Sequence, residues 1–450
     1  MVRVTDMTHG RPIRLILLFS LPLMLGSVFQ QLYTIVDTII IGRGVGMQAL
    51  ASIGAADWIN WLVLWGLQGF TQGFAILAAQ EFGAGAYDRL RRVLAMIVKL
   101  SCWFGIAVTI ISLLLVRPLL TLLHTDPAVF GGAQTYLYVQ FGGSLIIIAY
   151  NMAAAVLRCL GDSRTPLFAI IAASFANIAL DLLFVMGLGW GIFGASFATV
   201  LAQLIAFLLC LRSLRRLPFV QLTKADWKTD PAILLHLCRL GIPTGLQMSM
   251  ITLGGMVLQS VLNGFGVVFV AGYTAANKLY GILESASVAF GYAMTAYMGQ
   301  NRGARNAARI DAGIRAVLVL SAEFTAAIVT AMLLAGKPLL GLFLSTEEAG
   351  AADALAVAHR YLMVLMAFLF ALFVLQAYRS SLQGLGEMTV PTLSGFAEML
   401  MRMGAALVLP VFIGKSGVFF AEGAAWVCAA ALNLVWYYIR IGKIKREMLK

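Results

Sequence analysis

Apolar runs long enough to cross about 30 Å of hydrocarbon recur along the whole chain, separated by short polar intervals. This rhythm predicts twelve spans, approximately 14–41, 49–80, 90–116, 134–158, 166–188, 191–214, 234–263, 270–299, 310–335, 359–383, 391–414 and 417–441. The first run is far longer than the core of a secretion signal, and no small-residue cleavage site follows a short apolar region, so it is read as a retained span. The pattern is that of an all-α polytopic membrane protein.

Composition adds little to this except through charge. Of the 450 residues, 61% are hydrophobic and 12% charged, with a net charge of +12 that in a soluble protein would suggest nucleic acid. Placement argues otherwise. With the N-terminus assigned to the cytoplasm, 25 Lys and Arg fall on cytoplasmic positions and five outside (Arg43, Arg117, Lys337, Arg360, Lys415), while Lys278 and Arg402 lie inside spans. That asymmetry reads as a topology signal with both termini cytoplasmic, and no nucleic-acid partner is expected. The five cysteines (Cys102, Cys159, Cys210, Cys238, Cys428) form no CxxC pair and are read as packing residues, and the four histidines fall at loops or span ends. Neither set suggests a metal site or a cofactor, and no cluster of nucleophile, histidine and acid at span depth suggests an enzyme.

The chain also repeats itself. "LPLMLG" at Leu21 answers "IPTGLQ" at Ile242, "AQEFGAGAYDRL" from Ala79 answers "GQNRGARNAARI" from Gly299, "RPLL" at Arg117 answers "KPLL" at Lys337, and "LGDSRTP" from Leu160 answers "LGEMTVP" from Leu385, at offsets of 220 to 225 residues. A duplication of six spans is expected, giving two pseudo-symmetric six-helix lobes around a central cleft. The lobes are expected at 1–214 and 234–450, joined by a charged cytoplasmic linker at 215–233.

Four segments then narrow the class: "QQLYTIVDTIIIGR" in span one, "AQEFGAGAYDRLRRV" after span two, "LRCLGDSRTP" after span four, and "NIALDLLFVMGLGWGIFGASFATVLAQ" across spans five and six. In order and spacing these resemble the multidrug and toxic compound extrusion (MATE) family, prokaryotic in type and most similar to its DinF-like branch. The resemblance covers nearly the whole chain. It implies a twelve-helix secondary exporter of small-molecule drugs and organic cations that antiports H+ or Na+, resident in the inner membrane among lipids, without a cofactor, and working as a monomer.

Read physically, Gln30, Tyr33, Thr34 and Asp37 fall on one face of span one at helical spacing. Asn177 and Asp181 share a face of span five, and Thr199 and Gln203 a face of span six. Two carboxylates close together in a low dielectric cannot both ionise cheaply, so such a pair can carry a proton; the same oxygens, joined by Asn177 and Thr199, could instead bind a monovalent cation. The resemblance places a cation or proton site on Asp37, Asn177, Asp181 and Thr199, with Na+ possible at the first three. A carboxylate at bilayer depth costs roughly 2.5 to 3.5 kcal/mol and usually marks a pathway. The bland alternatives are that Asp37 pairs with Arg43 or Arg117, and that Asp181 and the neutral polar groups merely join helices.

The second half lacks both acids: the positions answering Asp37 and Asp181 are Leu258 and Ala406. Some sodium-coupled relatives resemble one another in carrying acids in spans seven and ten, whereas here Gln247 stands in span seven and span ten has none, which favours first-lobe coupling by H+ over Na+. Lys278, Glu284, Glu398 and Arg402 are buried charges; Glu398 and Arg402, four apart, are expected to pair, and Glu284 either faces the cleft or pairs with Lys278 or Arg402. Gln30, Tyr33, Thr34, Gln203, Gln247, Met256, Tyr280 and Glu284 are candidates to line the cleft and touch substrate, thioethers and flat rings suiting unrelated lipophilic cations. Pro22, Pro166, Pro243 and Pro391 are hinge candidates or ordinary helix starts. A flippase for a lipid-linked or polar metabolite is the alternative function; it predicts a strongly basic cleft, and Lys278 and Arg402 are the buried cations the sequence offers it.

Overall fold

The structure, a computed structural model, describes residues 4–343 and 350–449. Arg3 and Lys450, two of the cytoplasmic cations counted above, lie outside the described residues. The protein is an all-α polytopic membrane protein. In chain order the α-helices are α1 (Pro12–Gly44), α2 (Met47–Gly83), α3 (Tyr87–Leu122), α4 (Pro127–Gly142), α5 (Ser144–Cys159), α6 (Arg164–Asp181), α7 (Gly191–Arg215), α8 (Pro231–Asn263), α9 (Val267–Gly303), α10 (Ala307–Gly341), α11 (Ala351–Gly384), α12 (Thr389–Ile413) and α13 (Phe420–Leu449). Helices dominate because hydrocarbon offers backbone amides no partner, and a helix satisfies them within the segment.

Ten of these helices are long and apolar enough to cross a membrane, and an eleventh span is the pair α4 and α5, bent by 50°. The break falls at Gly143, where an added Cβ would stand 2.6 Å from the Val200 side chain of α7. The remaining helix, α9, is long enough at 37 residues but carries Lys278, Glu284 and Arg302, which dilute its apolar character. Counting the bent pair once and α9 among the rest, the helical rods correspond in order to the spans expected from the sequence.

Two compact units form, one from Leu21–Gly245 with the short stretch before Met7, the other from Met7–Ser20 with Leu246 onward. Helices α1 and α8 therefore each belong in part to one unit and in part to the other. They change at equivalent places, beside Pro22 and Pro243, both inside the helix. Within the first unit the early part of α8 lies against α2 through small residues: a Cβ on Gly73 would come within 2.6 Å of the Gly241 Cα and the Leu240 carbonyl, and Gly245 faces the Phe70 ring. Lacking a hydrophobic driving force between them, membrane helices gain from this kind of close approach. In the second unit Ser20 of α1 donates to the Ala289 carbonyl of α9 at 3.3 Å, and Gly384 of α11 meets the Thr295 backbone of α9.

The repeated turn motifs prove to be matching clamps. After α2, Glu81 pairs with Arg89 at 3.0 Å; after α9, the equivalent Asn301 accepts from Arg309 Nε at 3.0 Å. Arg309 also donates to the carbonyls of Gly10 and Met7, and the Met7 amide donates to Gln300 Oε1 at 2.8 Å, so the segment before α1 is bound to the second unit. In "LGDSRTP", Asp162 accepts from the amides of Arg164 and Thr165 at 3.0 Å and so caps α6.

Four expectations change. Pro166 and Pro391 lie in the first turns of α6 and α12, where amides are free of intrahelical bonds anyway, so they are helix starts rather than hinges. Lys278 is exposed, not buried. Arg379, counted above among cytoplasmic cations, is only 4% exposed inside α11, because Glu398 of α12 compensates it. Cys102 is exposed, so it is not a packing residue.

The contact of α8 with α2 yields a test. Gly73→Leu forces side-chain atoms into backbone and is expected to destabilise by about 1–3 kcal/mol, lowering the melting temperature of the detergent-purified protein. Gly54→Leu, where nothing lies within 4 Å, should leave it nearly unchanged.

Candidate functional site

The second half of α1 carries Asp37, and a local apolar cluster holds it in place. Ile40 and Ile41 are buried with Ala49 of α2, Val185 of the segment between α6 and α7, and Ala195 of α7, and Val36, Ile178 and Ile192 pack against them. These contacts fix the rotation of α1 about its axis, which aims the polar face away from the aliphatic one. Gly44 closes the arrangement, since a Cβ there would meet Met186 Sδ at 2.6 Å.

Helix α6 contributes Asn177 and Asp181, 1% and 0% exposed. Directly after Asp181 the chain enters a π-helical stretch, Leu182–Gly187. Such wide turns often occur at functional sites because they displace one residue from the regular ladder. The Asp37 and Asp181 carboxyls lie within interaction range of one another. Oδ1 of Asp37, both carboxyl oxygens of Asp181 and both amide atoms of Asn177, one turn before Asp181 on α6, are buried without a hydrogen-bond partner, as is Oε1 of Gln203 on α7. Unpartnered buried polar atoms are rare in folded proteins, and each one costs on the order of 1–3 kcal/mol. Their concentration here is the site's principal feature.

The rest of the span-one stripe takes up different roles. Tyr33 lies within electrostatic range of both aspartates and within hydrogen-bonding range of Gln30 and Thr34. Gln30 and Thr34 are exposed, and the Thr34 hydroxyl donates to the Gln30 carbonyl at 2.9 Å. Thr199 is partly buried and donates to the Ala195 carbonyl at 3.2 Å, leaving its lone pairs free to accept. No ion pair joins Asp37 to Arg43 or Arg117 among the described residues.

Sequence reasoning missed the contribution of α4 and α2. Tyr136 lies within electrostatic range of Asp37, Tyr33 and Asp57 and within hydrogen-bonding range of Gln140, and Asn60 Nδ2 donates to its hydroxyl at 3.4 Å. Gln140 is 2% exposed. The signal was present: Tyr136 and Gln140 are four apart, as are Asn177 and Asp181.

The candidates of the second unit sit elsewhere. Gln247 is fully buried, and its Oε1 accepts from Gln383 Nε2 at 2.9 Å. Tyr280 stacks on Trp426 with ring centroids 5.5 Å apart. Met256 and Glu284 are partly buried. Glu398 and Arg402 do pair, at 3.1 Å, and Arg402 also reaches Glu422 at 2.8 Å. Glu284 lies within electrostatic range of Arg402, not Lys278.

A helical membrane protein of two repeated units, with paired carboxylates at span depth in one of them, has the build of a membrane transport protein. The chain belongs to the MatE family, whose profile matches residues 22–183 and 243–408. Among curated proteins it is 31% identical to the probable multidrug resistance protein YpnP of Bacillus subtilis, over 100% of this chain and 99% of that one. It is 24% identical to the probable multidrug resistance protein NorM of Thermotoga maritima, over 93% and 90% of the two chains. Among solved structures it is similar in fold to a crystal structure of MATE in complex with MaL6, with a TM-score of 0.91, 24% identity and coverage of 99% of this chain and 100% of that one. A MOP superfamily transporter from Pyrococcus furiosus likewise matches with a TM-score of 0.91 at 24% identity, over 98% and 99% of the chains.

The crowding of carboxylates has a measurable consequence for stability. Asp181→Asn removes one of two facing charges while keeping the side chain's shape. The melting temperature of the purified variant should equal or exceed that of the parent at neutral pH, with a gain of up to about 2 kcal/mol, as is common when a strained functional group is relieved. A marked fall would mean that Asp181 serves the fold as an ion-pair partner.

Proposed function

We propose that the protein is a secondary active exporter of small-molecule drugs, lipophilic and cationic ones in particular, that works as a monomer by alternating access in the inner membrane with both termini cytoplasmic. Export is driven by entry of H+, in preference to Na+, at a site made by Asp37 and Asp181 with Asn177 and Thr199 completing its walls. The observation that supports this reading is the pairing of the two carboxyls, with the Asn177 amide one helical turn from Asp181 and without a partner of its own. The names of the relatives, multidrug resistance proteins in each case cited, point to the same cargo.

The chemistry of each group follows from its setting. One proton shared by Asp37 and Asp181 removes their mutual repulsion and turns a carboxylate into a donor, which the Asn177 carbonyl or the Thr199 hydroxyl can accept. The cost of a charge at this depth is thereby removed, and the polar face of α1 can rest against α6. Loss of the proton restores the repulsion and loosens α1. Drug and proton are coupled if each prefers a different state of this contact, and the coupling is reciprocal: whatever factor the proton takes from drug affinity, bound drug takes from proton affinity. Preference for H+ is consistent with the absence of both acids from the equivalent positions of the second half, Leu258 and Ala406.

Reconstitution in liposomes with a fluorescent cationic dye, under proton and sodium gradients imposed separately, tests this. The parent should export under a proton gradient, and Asp37→Asn combined with Asp181→Asn should lose at least about tenfold in gradient-driven rate, the equivalent of 1.4 kcal/mol of coupling. Export by the double variant at the parent's rate would overturn the assignment.

A further inference from the structure

The second unit contains a buried ionic network. Arg402 of α12 donates to the Ile251 carbonyl of α8 at 2.9 Å and pairs with Glu398 at 3.1 Å and with Glu422 of α13 at 2.8 Å. Arg379 of α11 pairs with the other oxygen of Glu398. Those two guanidiniums and two carboxylates balance. Burying ions is tolerable only when they are compensated in this way.

Glu284 of α9 breaks the balance. Its carboxyl is surrounded by Glu422, the Tyr280 hydroxyl, Arg402 and Glu398, of which Tyr280 alone is within hydrogen-bonding range. Beyond Glu422 stand Tyr273 and Tyr361, their rings stacked at 4.3 Å and their hydroxyls 3.0 Å apart, so they supply no positive charge. Among the described residues no cation pairs with Glu284, and Lys278 on the same helix is exposed. Ionised, Glu284 would be a third carboxylate against two guanidiniums, a surplus charge within a low-dielectric interior.

A second observation bears on what neutralises it. Nε of Arg402, which lies within electrostatic range of Glu284, is buried with no acceptor. A monovalent metal ion needs several oxygens and would face the Arg402 guanidinium and its unmatched N–H, both repelling it. Water suits the same surroundings, since its oxygen accepts from such donors and its hydrogens lead to the carboxyl. A proton on Glu284 removes the surplus charge without requiring ligands.

We propose that Glu284 is a proton-exchanging site of the C-terminal half, seated on the Arg379–Glu398–Arg402–Glu422 network and separate from the aspartate pair of the first half. The step is simple protonation: the carboxylate takes one proton from water and returns it to water, with no bond made or broken elsewhere. Glu398 and Glu422 are each paired with a guanidinium, which Glu284 is not. Its use in driving export rests on the function proposed above, whereas the protonation itself does not.

The test is infrared difference spectroscopy of the full chain in lipid nanodiscs, titrated from acid to alkaline pH, following the carbonyl stretch of protonated carboxyls. The parent should show a component that disappears on alkalinisation; Glu284→Gln should lack it, Glu284→Asp should show it at a shifted frequency, and Asp37→Asn with Asp181→Asn should retain it. A Glu284→Gln spectrum with every pH-dependent component of the parent would overturn the proposal, as would discharge of the Glu284 component by added Na+ at constant pH, which would make it a metal-ion site. The Asp variant keeps the experiment decisive if the Gln variant does not fold, because an unchanged band in Glu284→Asp also refutes the assignment. Normal export by the double Asp variant would sink the proposed coupling site while leaving the Glu284 result to stand or fall by its own band.

Discussion

Hydrocarbon gives a polar side chain nothing to bind, so every buried carboxylate, amide and guanidinium in this protein needs a partner from the chain itself or a ligand. The two units meet that constraint in opposite ways. In the second, Arg402 and Arg379 gather Glu398 and Glu422 into a closed set of ion pairs. In the first, Asp37 and Asp181 are brought together, and they, Asn177 and Gln203 are left with buried atoms unsatisfied. A common ancestor of the halves sharpens the comparison: at the offset that sets Asp181 against Ala406, Asn177 stands against Arg402. One half placed a permanent cation where the other keeps a neutral amide.

The fold delivers the aspartates to each other through packing some distance away. Rotation of α1 is set by Val36, Ile40 and Ile41 against Ile178, Val185 and Ala195, and the π stretch after Asp181 lets α6 and its continuation meet α1 at Gly44 without a clash. Helices α1 and α8, alone in belonging to both units, each carry a proline close to the changeover. A helix that lacks one amide bond there bends more easily than its neighbours. The early part of α8 is nevertheless seated firmly, because Gly73, Gly241 and Gly245 bring backbones together where any larger residue would clash.

Much of this is visible in the sequence, and the exceptions share a cause. The helical rods, the duplication and the meeting of Asp37 with Asp181 follow from apolar length, internal offsets and helical spacing, all of which are local or periodic. The break at Gly143 was not visible, because it depends on Val200 of another helix. Arg379 looked like a loop cation near the end of its span; only the approach of Glu398 makes its burial possible. Tyr136 and Gln140 have the spacing of a shared face, but that face meets the site only because Asp37 and Tyr33 of α1 come within range of it. Partners far apart in sequence decide which polar residues are costly and which are compensated.

That distinction also bears on how energy is stored. A compensated network such as Arg379 and Arg402 with Glu398 and Glu422 has no surplus charge to attract an ion from solution, so it can serve as a fixed reference within its unit. An uncompensated chamber is destabilising until something fills it, and the free energy recovered on filling is available to alter the helix contacts around it. The unsatisfied atoms near Asp181 thus represent a capacity for binding that a fully paired site would lack. Glu284 stands between these cases: a single surplus carboxylate, without a cation of its own, on a frame whose other charges are paired.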